Sequence, residues 1–236
     1  MLIIVSILSG MFKDIILYTY LIFIHECGHF LMGSIFKWKK DKIYFYIYGG
    51  CTKFNVDINV NSLEELIVLV MGPIFQLLGT IVLGCFLNIK DNSLLYNYSY
   101  TLLIFNLLPI YPLDGGRLLN IVLNKFLSFK KSFIFSILLS VLIVIIFIYL
   151  SIKYYLRINI ILMFIFLLSK VIEEYKKRNY YFNKFLLERF IKDYHFTKTI
   201  YIKDINNMKK EKKHILYKDN KYYTEREFLK KIFKKS

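Results

Sequence analysis

Five stretches of this chain are apolar over lengths that a lipid bilayer demands. The hydrocarbon core of a bilayer takes about 20 consecutive apolar residues of helix. Residues 14–36, 66–88, 94–111, 133–152 and 157–172 meet or approach that length, and a sixth stretch, 1–10, is shorter. Lipid offers no hydrogen bonds, so backbone groups have to be satisfied inside the chain, and runs of this kind span as helices. Hydrophobic residues make up 56% of the sequence and lie in these runs instead of on amphipathic faces, which argues against a soluble domain. The expected fold class is an all-α polytopic membrane protein with about six transmembrane helices.

Charge follows the same division. Of 33 Lys and Arg residues, 20 lie from Lys170 onward and 13 before it. A net charge of +16 would suit a nucleic-acid binder, but the basic residues sit where cytoplasmic loops would be. The implied partner is the lipid bilayer, with no direct nucleic-acid contact. Segment 37–65 carries Lys37, Lys39, Lys40, Lys42 and Lys53, and segment 117–132 carries Arg117, Lys125, Lys130 and Lys131. The alternate connections hold only Lys13, Lys90, Lys153 and Arg157. Six spans with the rich segments inside place both termini in the cytoplasm. Cys27, Cys51 and Cys85 show neither paired nor metal-type spacing and read as reduced, packed thiols.

Two pieces read as lying outside the hydrocarbon. Residues 42–60 are aromatic and β-branched with Gly49-Gly50 breaking the run, the signal of a small membrane-associated β-hairpin. A strand edge there could pair with an extended substrate, or the hairpin could simply join two helices. From residue 176 the composition turns soluble. A helix-like stretch through FLLERF precedes strand-like TIYI, HILY and KYYT and a final basic helix, a short mixed cytoplasmic tail. Two domains are expected, 1–175 in the membrane and 176–236 outside it. His195 and His214 of the tail read as solvated.

The chemistry concentrates in His25-Glu26-Cys27-Gly28-His29. On a helix, His25 and His29 lie about 40° apart in projection, with Glu26 about 60° beyond His29. Two imidazoles thus meet one metal while a carboxylate flanks it, able to take a proton from water. Ionisable groups inside an apolar run cost several kcal/mol and mark function. A catalytic zinc takes three protein ligands and keeps one open position. Asp114, in the stretch Asn106–Gly116 (NLLPIYPLDGG), is the outstanding third ligand. Pro109 and Pro112 break the helix there, which a membrane tolerates beside protein or a water-filled cavity. Cys27 points about 200° away from His25. Gln76 follows Gly72-Pro73 inside a span, where a buried amide could orient substrate, bind an oxyanion, or hydrogen-bond between helices. Asn106 could do the same, or hold the broken helix.

HECGH, the Gly-Pro pair of MGPIFQ and NLLPIYPLDGG together resemble the site-2 protease family of intramembrane zinc metalloproteases. The run EEYKKRNYYFNKFLLERF is similar to the sporulation branch of that family, and the similarity covers most of residues 2–190. The resemblance implies a zinc metalloendopeptidase that performs regulated intramembrane proteolysis. It gives His25, His29 and Asp114 to Zn2+ and water activation to Glu26. For the sporulation branch it implies the mother-cell membrane around the forespore. There the substrate is the pro-sequence of a membrane-associated sigma factor, and two inhibitory membrane proteins are partners. Relatives of this type can end in a nucleotide-sensing CBS domain. Only about 40 residues follow Thr197 here, too few for a complete unit, so the tail reads as a reduced remnant and nucleotide regulation does not carry over. A homo-oligomer is compatible with the sequence. Two other readings stand beside the protease: a metal-ion transporter, since intramembrane His and Asp also line ion pathways, and a non-catalytic membrane scaffold.

Overall fold

The computed structural model describes residues 12–38, 40–46, 49–54, 56–154, 158–196, 198–218 and 220–233. The chain divides into two units, one made of Met1–Val56 and Leu63–Leu107, the other of Asp57–Ser62 and Leu108–Ser236.

In the first unit, helix α1 (Phe12–Ile35) carries the His-Glu-Cys-Gly-His stretch. It ends without glycine: Lys37 takes φ 56°, while the Trp38 and Lys37 N–H groups donate to the Gly33 and Ser34 carbonyls. This left-handed cap satisfies the last carbonyls of the helix. Strands β1 (Lys40–Tyr46) and β2 (Gly49–Phe54) follow as an antiparallel hairpin. Gly49 and Gly50 open β2 opposite Tyr46 and Phe45, so the glycines lie in a strand and not at the break expected of them. Helix α2 (Ser62–Gly84) starts with Glu64 and Glu65 in its first turn, where negative charge suits the helix dipole. Helix α3 (Ile89–Leu107) packs on α1 through buried Leu17, Leu21, Leu95 and Leu102. A Cβ on Gly28 would lie 2.4 Å from the Met71 carbonyl oxygen. The missing side chain is what lets α1 and α2 touch backbone to backbone.

In the second unit, helix α4 (Asp114–Phe126) occupies the segment expected to be a charged loop. Gly115, Gly116, Ile121 and Asn124 are its buried residues, of which Ile121 and Asn124, three positions apart, share a face. Helix α5 (Phe129–Lys153) presents buried Ser132, Ser136 and Ser140 at four-residue intervals. The Ser132 hydroxyl donates to Asn124 and that of Ser136 to Asn120, which ties α5 to α4. Helices α6 (Ile158–Lys176) and α7 (Arg178–Ile191) lead into the tail. There β3 (Thr199–Ile202) lies parallel to β4 (Lys213–Lys218), which pairs antiparallel with β5 (Lys221–Thr224). Helix α8 (Glu225–Phe233) closes the unit. Phe129, Phe182, Phe185, Met208, Leu216 and Leu229 form its core, with the Phe129 and Phe185 rings stacked at 4.4 Å.

Among the described residues three helices are long and apolar enough to cross a membrane: Lys13–Ile35, Ser62–Gly84 and Phe129–Lys153. Expected span 94–111 overlaps α3 over 94–107, and expected span 157–172 overlaps α6 over 158–172. Lys90, Asp91 and several amides and hydroxyls in α3, and the Lys170, Glu173 and Glu174 end of α6, separate these two from the other three. Residues 1–10 lie outside the described residues.

Candidate metal centre

The four-residue spacing on α1 brings His25 and His29 onto one face, both buried, with their Nε2 atoms 3.1 Å apart. The outer nitrogen of each ring has a fixed partner. Nδ1 of His25 faces Oε1 of Gln76 at 3.0 Å, and Nδ1 of His29 faces the Val68 carbonyl at 2.9 Å. Both partners only accept, so each Nδ1 carries the hydrogen and each Nε2 presents a lone pair. Two lone pairs at that distance repel each other, and a cation between them reverses the sign. Ligands of a tetrahedral zinc with bonds of about 2.0–2.1 Å stand roughly 3.3 Å from one another, close to the spacing of this pair. A Cβ on Gly72 would come within 2.4 Å of His29 Nε2 and 3.0 Å of His25 Nε2. The bare glycine of α2 therefore leaves open the hollow beside both donor atoms. The donor set and this hollow fit Zn2+.

Glu26 is half-buried, next to His25 on α1. Gln76 is fully buried, and its Nε2 donates to the Ser99 carbonyl at 2.8 Å. Asn106 is half-buried one residue before the end of α3. In the second unit, Asp114 is half-buried and is the first residue of α4, where a carboxylate suits the helix dipole. The proline-broken stretch before it is held by a hydrogen bond from the Tyr111 N–H to the Ser140 hydroxyl at 2.8 Å and by one from the Leu113 N–H to the Ile110 carbonyl at 2.9 Å. A Cβ on Gly116 would lie 2.5 Å from the Tyr111 nitrogen, so the stretch folds directly back onto α4.

The structure departs from expectation at two other residue types. His195 is exposed as expected, but His214 is fully buried, because Glu225 and the Lys209 N–H take up its two ring nitrogens. Cys27 is half-buried and Cys85 is exposed instead of packed, at the end of α2. Ser99, Thr80 and the Val68 carbonyl escaped the sequence reading. Thr80 lies one turn after Gln76, and a hydroxyl one turn from a buried amide was the available signal.

Residues 14–93 match the model of peptidase family M50. The chain is 28% identical over 191 residues to stage IV sporulation protein FB of Bacillus subtilis, covering 78% of this chain and 66% of that protein. It is 32% identical over 117 residues to a zinc metalloprotease of Methanocaldococcus jannaschii, covering 46% of this chain and 34% of that one. The chain thus spans less than two thirds of each of these curated relatives. In fold it is similar to the site-2 protease from Methanocaldococcus jannaschii. The TM-score is 0.57 at 23% identity, over 73% of this chain and 83% of that one. His25, Glu26, His29 and Gln76 all lie inside the stretch that is similar to peptidase family M50.

Proposed function

We propose that this chain is an intramembrane zinc metalloendopeptidase. The observation that carries the reading is the buried histidine pair, with both Nδ1 atoms tied to acceptors and both Nε2 atoms turned toward one another. His25 and His29 hold Zn2+ through Nε2, and Asp114 is the third ligand, giving the two imidazoles and one carboxylate of a peptidase centre. Zinc bound there supplies a Lewis acid that polarises the scissile carbonyl and acidifies water. Glu26 takes a proton from the attacking water and delivers it to the leaving amine, as the peptide C–N bond breaks and the water oxygen joins the carbonyl carbon. Asn106 is the amide offered for contact with substrate or oxyanion. The β1–β2 hairpin offers backbone N–H and C=O groups to an extended substrate.

The relative named for stage IV sporulation supports a finer reading, in which the substrate is a membrane-associated pro-sigma factor losing its pro-sequence. On that reading the chain sits in the mother-cell membrane around the forespore. It crosses six times, has both termini in the cytoplasm and is restrained by inhibitory membrane proteins. Co-expression of a pro-sigma factor with wild type and with Glu26→Gln tests the proposal. Wild type should cleave in a metal-dependent way. Glu26→Gln should keep its metal and lose about 10²- to 10⁴-fold in rate, as removal of a general base does. Near-wild-type turnover by Glu26→Gln would sink the assigned chemistry. Metal retention without cleavage by either protein would favour a scaffold.

A further inference from the structure

We infer that Gln76 is a positioning residue for the metal ligand His25, acting through a hydrogen-bond relay that fixes which imidazole nitrogen is bare. The inference rests on the reading of His25 as a zinc ligand. Each proton in the relay has one consistent place. The Thr80 hydroxyl donates to the Gln76 backbone carbonyl at 2.8 Å. The Ser99 hydroxyl, 2.7 Å from Thr80 Oγ1, therefore donates to it. Gln76 Nε2 directs its N–H groups to the Ser99 carbonyl at 2.8 Å and the Ser99 hydroxyl at 3.3 Å. That leaves Oε1 as the atom facing His25 Nδ1 at 3.0 Å.

The carboxamide cannot be turned over. Rotating it by half a turn would set its oxygen against the Ser99 carbonyl, acceptor against acceptor in a fully buried place. Since Oε1 only accepts, His25 holds its hydrogen on Nδ1 and offers Nε2 to the metal. Partners of this kind orient the ring, raise its basicity and typically contribute 10- to 100-fold to metal affinity. The same contacts commit Gln76 Nε2 to Ser99 and Oε1 to His25. This assigns the amide to His25 and not to the substrate. Val68 performs the equivalent task for His29 with a backbone carbonyl, which side-chain substitution does not remove. Gln76 is the half of the arrangement that can be tested.

The test uses the full chain in detergent micelles with Co2+ as the probe, read by competition with a chelator and by the visible absorption of the bound ion. Gln76→Leu should weaken Co2+ binding about 10- to 100-fold and alter the spectrum. Gln76→Glu, which restores an acceptor for Nδ1 but sets its second oxygen against the Ser99 carbonyl, should recover part of that loss. Equal affinity and an unchanged spectrum for wild type and Gln76→Leu overturn the positioning role. A wild-type chain that binds no Co2+ instead overturns the metal centre on which the role depends. A measurement on wild type alone guards against a variant that fails to fold. With 15N-labelled histidine, His25 should show the Nδ1–H tautomer, and an Nε2–H signal for that residue overturns the inference.

Discussion

A methyl group on Gly72 would stand 2.4 Å from Cε1 and Nε2 of His29 and 3.0 Å from Nε2 of His25. Neither ring has room to retreat, because both are buried and tied at Nδ1. Gly72→Ala should therefore cost the chain its metal while leaving α2 helical, since alanine favours a helix interior by about 1 kcal/mol over glycine. Metal content and helical circular dichroism measured on the same sample decide the matter. Stoichiometric zinc in the variant would mean that the hollow beside the histidines is not where the metal sits. The four-residue histidine spacing was legible in the sequence because helix geometry alone puts both rings on one face. The direction of the Gln76 amide was not legible, because it depends on Ser99, 23 positions away and on another helix. His214 was misread for the same reason: a lone histidine in a lysine-rich tail carries no sign of the Glu225 that faces it.

Within the tail, several elements converge on Arg189 of α7, whose side chain is 1% exposed. Its guanidinium donates to Asn59 Oδ1 at 2.7 Å, to Glu225 of α8 at 3.0 Å and to the carbonyls of Lys209, Lys210 and Lys212. Truncating one partner of such a buried pair costs about 3–5 kcal/mol. His214 of β4 adds a pH dependence. Burial holds its imidazole below the ordinary histidine range, despite the opposing pull of Glu225. Glu225 itself is held below the usual carboxylate range, since His214 and Arg189 outweigh the effect of burial, which alone would raise it. In both cases the unfolded segment binds protons more readily than the folded one, so acid destabilises. The histidine contribution is intact above about pH 6.5, the unfolded value, and fades as pH falls through the window below it. The carboxylate contribution follows below about pH 4.5. Protection factors of the β4 and α8 amides, corrected for intrinsic exchange at each pH, should fall from pH 7.5 to 5 in wild type, and His214→Gln, which does not titrate, should flatten that slope. An equal slope in the variant would remove His214 as its cause. The tail elements themselves were legible as runs of aromatic and β-branched residues. Helix α4 was not, because its helical face shows only against the serines of α5.

At the scale of the molecule, charge and hydropathy make separable statements about how the chain crosses the bilayer. The sequence places 1–175 and 176–236 apart, whereas residues 57–62 belong to the unit that holds the tail. Asn59 meets Arg189 from 130 positions away, and linear composition carries no trace of such a pairing. If only the three most apolar helices crossed, α1, α2 and α5, then α3 would not return the chain. Arg117, Lys125, Lys130 and Lys131 would lie on the same side as Lys90, against the rule that keeps Lys and Arg in the cytoplasm. If α3 also crosses, those four residues and the five of segment 37–53 share the cytoplasmic side. Several polar groups of α3 meet partners in their own unit. Ser99 is bonded to Gln76 and Thr80, the Asn92 amide donates to the Gly84 carbonyl, and the Tyr98 hydroxyl donates to Asp14. Polar residues paired in this way are tolerated in spanning helices. Reporter fusions after Lys40, Lys90, Lys131 and Lys153 should therefore read cytoplasmic, external, cytoplasmic and external, with a cytoplasmic reading after Ser236 once α6 has returned the chain. The fusions after Lys131 and Lys153 discriminate most sharply. An external reading at the first with a cytoplasmic one at the second would show that α3 lies on the membrane instead of through it.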